Sequence, residues 1–186
     1  MLAAEAFVHC GRRLRQGDRS AFTQLFEGTY DALYRYAWSF TKDEERACDV
    51  LQDVFLRLWQ IRAHVDPERS LKALLYQMVR NTSLNHLRRM QRNPVVTVAN
   101  TADLPSKEVA ADDAYDVQVL RRRLQVWIDN MPPRRREAFV LSRFQGLSHA
   151  EIAQVMNLTP KTVNNHIVLA LTYLRDRIDT LEPELT

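Results

Sequence analysis

Two adjacent asparagines, Asn164 and Asn165, stand near the start of a segment with helical periodicity. The carboxamide of Asn can pair bidentately with N6 and N7 of adenine in the major groove of DNA. In helix-turn-helix proteins such side chains lie near the N-terminus of the helix that enters the groove. The pair therefore predicts sequence-specific contact with double-stranded DNA.

The helix that must present these asparagines is defined by its own residues. Thr159 can cap its N-terminus, and Pro160 suits the first helical position. Apolar residues at helical spacing predict a buried face made of Val163, Ile167, Ala170, Leu171 and Leu174. The outward positions are then Lys161, Asn164, Asn165, Val168 and Thr172.

A shorter helix is predicted immediately before it. Ser148 and Glu151 have the spacing of a capping box, and Leu147 and Ile152 can form a hydrophobic staple across it. Asn157 stands where a helix C-terminus favours a left-handed residue. Two helices joined by a turn of about three residues form a helix-turn-helix. The alternative is an ordinary helical hairpin with a solvated polar face.

The composition favours an all-α protein. The 186 residues include only four glycines and no long apolar alternation of period two, and a short run at 95–98 is the one candidate strand. Charge is distributed unevenly, because 1–92 and 120–186 are net basic whereas 93–119 carry five acidic residues and one basic residue. Two basic bodies therefore flank an acidic middle.

The chain shows no targeting or membrane-spanning segment, and we expect a cytoplasmic protein without a cofactor. The first eight residues lack basic side chains, and no apolar stretch is long enough to cross a bilayer. Cys10 and Cys48 lack paired metal spacing, and cytosolic thiols usually stay reduced. His9 beside Cys10 leaves a zinc or redox role open as an alternative.

Three helices are expected in the first part of the chain. The first, within 17–41 after a turn at Gly17 and Asp18, carries an apolar stripe that we expect to be core: Phe22, Leu25, Phe26, Tyr30, Leu33, Tyr34, Ala37 and Phe40. The second spans about 43–61 and buries Ala47, Val50, Leu51, Val54, Phe55 and Leu58. The third spans about 70–90, and its last turns are rich in arginine.

The outward face of the second helix is a candidate binding surface. It carries Asp49, Gln52, Asp53 and Gln60, with Leu56 among them. A leucine among acids and amides favours a contact with a partner, and the alternative is a solvated face.

Residues 93–115 are predicted to be a flexible acidic linker, since they hold two prolines and little periodicity. A flexible chain of this length reaches about 25–30 Å, so two domains could straddle a large partner. The second domain, 116–186, begins with a helix whose inward residues are Val117, Leu120, Leu124, Trp127 and Met131. The chain breaks at Pro132 and resumes through a further helix into the helix-turn-helix. We predict an all-α protein of two small helical domains, 1–92 and 116–186.

The order of these parts resembles an extracytoplasmic-function sigma factor, the smallest kind of bacterial sigma factor. DVLQDVFLRLW (49–59) is similar to the region 2.2 helix of that family, and LLYQMVRNTSLNHLRR (74–89) is similar to its promoter-melting helix. MPPRRREAFVLSRFQGLSHAEIA (131–153) is similar to its region 4. The resemblance implies that the first domain binds core RNA polymerase and opens the minus-ten element, while the second reads the minus-thirty-five element.

The motif matches also imply roles for single residues. Core polymerase would contact Asp49, Gln52, Asp53 and Leu56. Val65, Leu71 and Leu74 occupy places where many members have aromatics, which leaves Tyr76 to stack on bases of the melted nontemplate strand. The implied minus-ten contacts are Tyr76, Arg80, Asn81, Arg88 and Arg89, although these arginines would also complement their own helix dipole. The implied minus-thirty-five contacts are Arg135, Arg136, Ser148, Lys161, Thr162, Asn164, Asn165, His166 and Val168.

Two other functions compete with this interpretation. A regulator of the LuxR class would also carry TPKTVNNHI, but it needs a sensing or receiver domain that the first part of the chain does not resemble. A helical enzyme is disfavoured because the chain has no phosphate loop, metal-spaced His/Cys cluster or nucleophile elbow. The family resemblance further implies an anti-sigma factor as a probable partner.

Overall fold

The computed structural model describes residues 4–66, 69–92 and 115–180, and every regular element in these ranges is helical. The chain divides into two compact units, Met1–Leu104 and Pro105–Thr186. The prediction of an all-α protein with a helix-turn-helix in its second half is confirmed. The predicted linker at 93–115, with the candidate strand at 95–98, lies outside the described residues, except that Tyr115 begins a helix.

The described part of the first unit contains four α-helices and a short 3-10 helix. These are α1 (Ala4–Arg15), α2 (Arg19–Thr41), α3 (Glu44–Ile61), the 3-10 helix Arg62–His64, and α4 (Leu71–Arg92). Helix α2 packs against both α3 and α4, while α1 packs against α2, the 3-10 helix and α4. Helices α2, α3 and α4 correspond to the three predicted helices, and α3 buries all six of its predicted core residues.

The sequence analysis missed α1. Phe7, Cys10 and Leu14 recur at a spacing of three and four and are buried, with Leu14 fully inaccessible. The thiol of Cys10 lies 3.5 Å from Oε1 of Gln24, and burial raises the pKa of Cys10. Cys10 is therefore a core residue, whereas His9 is exposed. Within the described ranges, no cluster of three or more His, Cys, Asp and Glu side chains could hold a metal ion.

The predicted aromatic stripe of α2 is divided between core and surface. Leu25, Leu33 and Ala37 are buried as predicted, but Phe26 is 38% exposed and packs edge-on against Phe55 of α3. Phe22, Tyr30, Tyr34 and Phe40 are only partly buried. A spacing of four residues rotates each successive side chain by about 40° around a helix, so such a stripe leaves the buried face. The core instead takes Ala21, Thr29, Tyr36 and Trp38.

The described part of the second unit contains α5 (Tyr115–Asp129), α6 (Pro133–Arg143), α7 (His149–Met156) and α8 (Pro160–Asp179). One core cluster joins α5, α6 and α8 through Trp127, Ile128, Met131, Phe139, Ala170 and Leu174. The prediction that Leu120 faces the core is wrong, because this residue is 52% exposed. The packed part of α5 begins at Leu124, one turn later. No helix in the described part of the chain is long and apolar enough to span a membrane.

Candidate functional site

The first helix of the helix-turn-helix begins with the predicted capping box. Oγ of Ser148 accepts a hydrogen bond from the backbone N–H of Glu151 at 3.3 Å, and the carboxylate of Glu151 accepts one from the N–H of Ser148 at 2.8 Å. Leu147 and Ile152, the predicted staple, are both buried. Two backbone donors at the start of α7 are thus satisfied by side chains close in sequence.

The turn also has the predicted geometry. Asn157 adopts the left-handed conformation, with φ 54° and ψ 56°, and the N–H of Leu158 donates to the carbonyl of Ala153 at 2.9 Å. Thr159 caps α8 by accepting from the N–H of Thr162 at 3.2 Å, and Pro160 is the first helical residue. These contacts set the direction in which α8 leaves the turn.

Helix α8 separates a buried face from an outward face. Val163, Ile167, Ala170 and Leu174 are buried as predicted. Leu171 is 40% exposed, which corrects its predicted place in the core, because it lies about 70° from the middle of the buried face. The predicted outward residues are all exposed, and Asn165 lies nearly opposite the core whereas Asn164 lies on the flank.

Several other predicted minus-thirty-five residues have structural contacts of their own. The hydroxyl of Ser148 lies 2.9 Å from Oε2 of Glu151, and that of Thr162 lies 2.9 Å from the hydroxyl of Thr159. Arg136 donates to the carbonyl of Asp129 at 2.7 Å and thereby ties α6 to the end of α5. The structure places Lys161 and Val168 fully outward, whereas His166 and Arg135 are half-buried. Nε of Arg135 is buried without a hydrogen-bond partner among the described residues.

The predicted polymerase-binding residues lie together on α3. Asp49, Gln52 and Asp53 are exposed, and Leu56 is exposed by 53%. The carboxylate of Asp53 lies 3.4 Å from Nε2 of His86, a residue of α4. Sequence reasoning missed His86 because this pair depends on the packing of α3 against α4, and no short-range signal indicates it.

A row of polar side chains follows the outward face of α4. Asn81, Asn85 and Arg88 are exposed at spacings of four and three residues, and Nη1 of Arg88 donates to Oδ1 of Asn85 at 3.4 Å. Arg89 is exposed beside this row, and Arg80 is half-buried. Asn81 and Arg88 are seven residues apart and therefore share one side of the helix. The helical period that groups them also adds Asn85, which the sequence analysis did not single out.

Tyr76 does not belong to this row. Its side chain is only 3% exposed, and its ring packs edge-on against Tyr36 with centroids 5.1 Å apart. Burial raises the pKa of Tyr76 well above its usual value, and Arg35 opposes this shift weakly. Tyr76 shares the buried face of α4 with Val79 and Ser83. It is a core residue, which is incompatible with the predicted stacking on unpaired bases.

Both units match known families. The model described as Sigma-70 region 2 matches residues 25–93, and the model described as Sigma-70, region 4 matches residues 121–174. The sigma-H factor of Pseudomonas aeruginosa is 28% identical over 100% of this chain and 98% of its own length. The extracytoplasmic-function sigma factor SigM of Mycobacterium tuberculosis is 28% identical over 83% of this chain and 75% of its own length.

A solved structure shows the same fold. The sigma factor RpoE from Bartonella quintana, in complex with the anti-sigma factor NepR, aligns with a TM-score of 0.64 at 22% identity and covers 85% of this chain and 96% of its own. Region 2 and region 4 thus occur in one chain, in family order, on the two units that carry the α3 face and the helix-turn-helix. This chain belongs to the sigma-70 family as an extracytoplasmic-function RNA polymerase sigma factor.

Proposed function

We propose that this sigma factor binds core RNA polymerase through the α3 face formed by Asp49, Gln52, Asp53 and Leu56. The observation that carries this proposal is Leu56, which is exposed by 53% between exposed carboxylates inside the region 2 match. A solvated leucine gains nothing from its position, whereas an apolar contact ringed by charges is typical of a protein interface. Acidic groups further favour a basic partner surface.

Copurification with core polymerase in the absence of DNA tests this function. A sigma factor should be retained by core polymerase and should then start transcription at specific promoters. A regulator that uses only its helix-turn-helix should bind promoter DNA alone and should fail to copurify with the polymerase.

We propose the following division of the chain. Residues 1–92 bind polymerase and open the minus-ten element, 93–115 link the domains, and 116–186 read the minus-thirty-five element. The exposed row of Asn81, Asn85 and Arg88 supports the first assignment, because amides and guanidinium groups suit bases and phosphates of a separated strand. Regulation by an anti-sigma factor stays a prediction that follows from family membership.

Asn81→Ala should lower the yield of open complexes while recruitment of the holoenzyme to the promoter stays nearly intact. The reason is that Asn81 faces outward on α4 and makes no contact that the core requires, so its loss affects only the opened strand. Permanganate reactivity of unpaired thymines measures opening, and a band shift measures recruitment. Thr82→Ala, next in sequence but half-buried, is a matched control. Equal loss of opening and recruitment would contradict this separation of roles.

Lys161→Ala should weaken binding to all promoter sequences about equally. Lys161 is exposed in the first turn of α8, where an ammonium group suits a backbone phosphate. Loss of one phosphate contact releases one fewer counterion, so the log–log slope of affinity against salt should fall by about one. Arg136 is a poorer test because its replacement would also remove the bond to Asp129. A changed base preference in Lys161→Ala would contradict a purely electrostatic role.

A further inference from the structure

The junction between α1 and α2 carries a cluster of exposed arginines that neither family match includes. Arg12 and Arg15 are exposed in the last turn of α1, and Arg19 is exposed as the first residue of α2. The two matches begin at residues 25 and 121, so this cluster precedes both. In the described ranges, none of the three guanidinium groups makes a hydrogen bond or an ion pair.

The acid at this junction is already paired with a fourth arginine. Arg13 donates through Nε to the carboxylate of Asp18 at 2.8 Å, and the N–H of Ser20 donates to the same carboxylate at 2.8 Å. The hydroxyl of Ser20 and then Arg13 lower the pKa of Asp18 to about 2. Between residues 4 and 19 the other acid is Glu5, at the far end of α1. The positive charge of Arg12, Arg15 and Arg19 therefore faces solvent.

Helix stability accounts for only part of this cluster. Arginines in the last turn of α1 complement the negative end of its dipole. Arg19 stands at the positive end of α2, where a cation is unfavourable. A residue type that opposes its own helix, beside two further arginines, favours an anionic partner.

The cluster borders the connection between α3 and α4. The backbone of α1 approaches the first turn of α4 so closely that a Cβ on Gly11 would lie 3.6 Å from Leu71, and one on Gly17 would lie 3.8 Å from Nε of Arg62. At the other end of α1, the ammonium of Lys72 lies 5.9 Å from the ring centroid of Phe7. Helix α1 thus lies against the start of the helix that carries Asn81.

We propose that Arg12, Arg15 and Arg19 bind backbone phosphates of promoter DNA beside the opened minus-ten element. This inference rests on the proposed function of α4, and it adds an element that the family match does not contain. Guanidinium groups bind phosphate oxygens through paired hydrogen bonds and stay charged at any physiological pH. Contacts of this kind hold the DNA in place without reading its sequence.

The test is the salt dependence of open-complex formation by the full chain with core polymerase. Combined Arg12→Gln, Arg15→Gln and Arg19→Gln should reduce the log–log salt slope by about two to three, since each phosphate contact contributes roughly 0.7–0.9. The three matching lysine substitutions should restore most of the slope, because phosphate binding needs the charge. Arg35→Gln removes an exposed arginine from the middle of α2 and should leave the slope unchanged.

Each other outcome would overturn the inference. An unchanged slope in the folded glutamine variant, checked by circular dichroism, would show that the cluster does not contact DNA. Loss of copurification without DNA would show that the cluster binds polymerase instead. If the triple glutamine variant does not fold, the single substitutions decide, and a slope unchanged in all three contradicts the proposal. Failure of the unaltered chain to bind polymerase would contradict the proposed function, and this measurement is separate from the slope.

Discussion

Asp53→Arg should abolish copurification of core RNA polymerase while the fold stays intact. The substitution places a cation where a basic partner surface is expected, and juxtaposed like charges cost several kcal/mol across an interface. Binding should therefore weaken by a factor of about a hundred or more. Folding should survive, because the side chain of Asp53 is 62% exposed and belongs to no core cluster.

The pairing of Asp53 with His86 sets the controls for this experiment. His86→Ala removes the neighbour 3.4 Å away but keeps the carboxylate, so copurification should persist. Glu27→Arg reverses an equally exposed acid on α2, outside the α3 face, and should also persist. If Asp53→Arg still binds polymerase with an unchanged circular dichroism spectrum, the α3 face is not the docking surface. If all three variants lose binding, the effect is one of net charge and not of this face.

Asn165→Ala should flatten the base preference at one or two adjacent positions of the minus-thirty-five element. A bidentate pair between asparagine and adenine contributes roughly 1–3 kcal/mol of discrimination, so preference at that position should fall about ten- to a hundredfold. Asn165 points almost directly away from the core of the unit, whereas Asn164 lies on the flank of α8. The effect of Asn164→Ala should therefore be smaller. Selection from randomised minus-thirty-five duplexes by the holoenzyme measures both.

Thr172→Ala is the matched control, because Thr172 shares the outward face of α8 seven residues further along. Only the first turns of a recognition helix reach base edges, so this variant should select the same sequences as the unaltered chain. If both asparagine variants also select the unaltered sequence, the amides belong to a solvated face and base readout comes from elsewhere.

The helix-turn-helix could be predicted because its determinants are local. Ser148, Asn157 and Thr159 each act on backbone groups within five residues, so the printed sequence holds the whole arrangement. The same holds for the six buried residues of α3, whose spacing follows one helical period. Period and caps together defined most of the helices and the outward face of α8.

The errors concern contacts between segments that are distant in sequence. Tyr76 was interpreted as exposed because it stood out as an aromatic residue near the melting helix, whereas the packing of α2 places Tyr36 against it. The pair of Asp53 and His86 and the close approach of α1 to Leu71 likewise need a three-dimensional arrangement. Helix α1 was missed for a different reason, since Phe7, Cys10 and Leu14 form only a short periodic run.

The division of α8 into two faces has a consequence for how promoter choice can change. Val163, Ile167, Ala170 and Leu174 maintain the unit, and none of them lies among the residues that point toward DNA. Substitutions at Lys161, Asn165 and Val168 can therefore accumulate without opening a cavity or burying a polar group. Closely related copies of this gene could diverge in the promoters that they serve while their stability stays constant. A designer could retarget the protein at the same few positions.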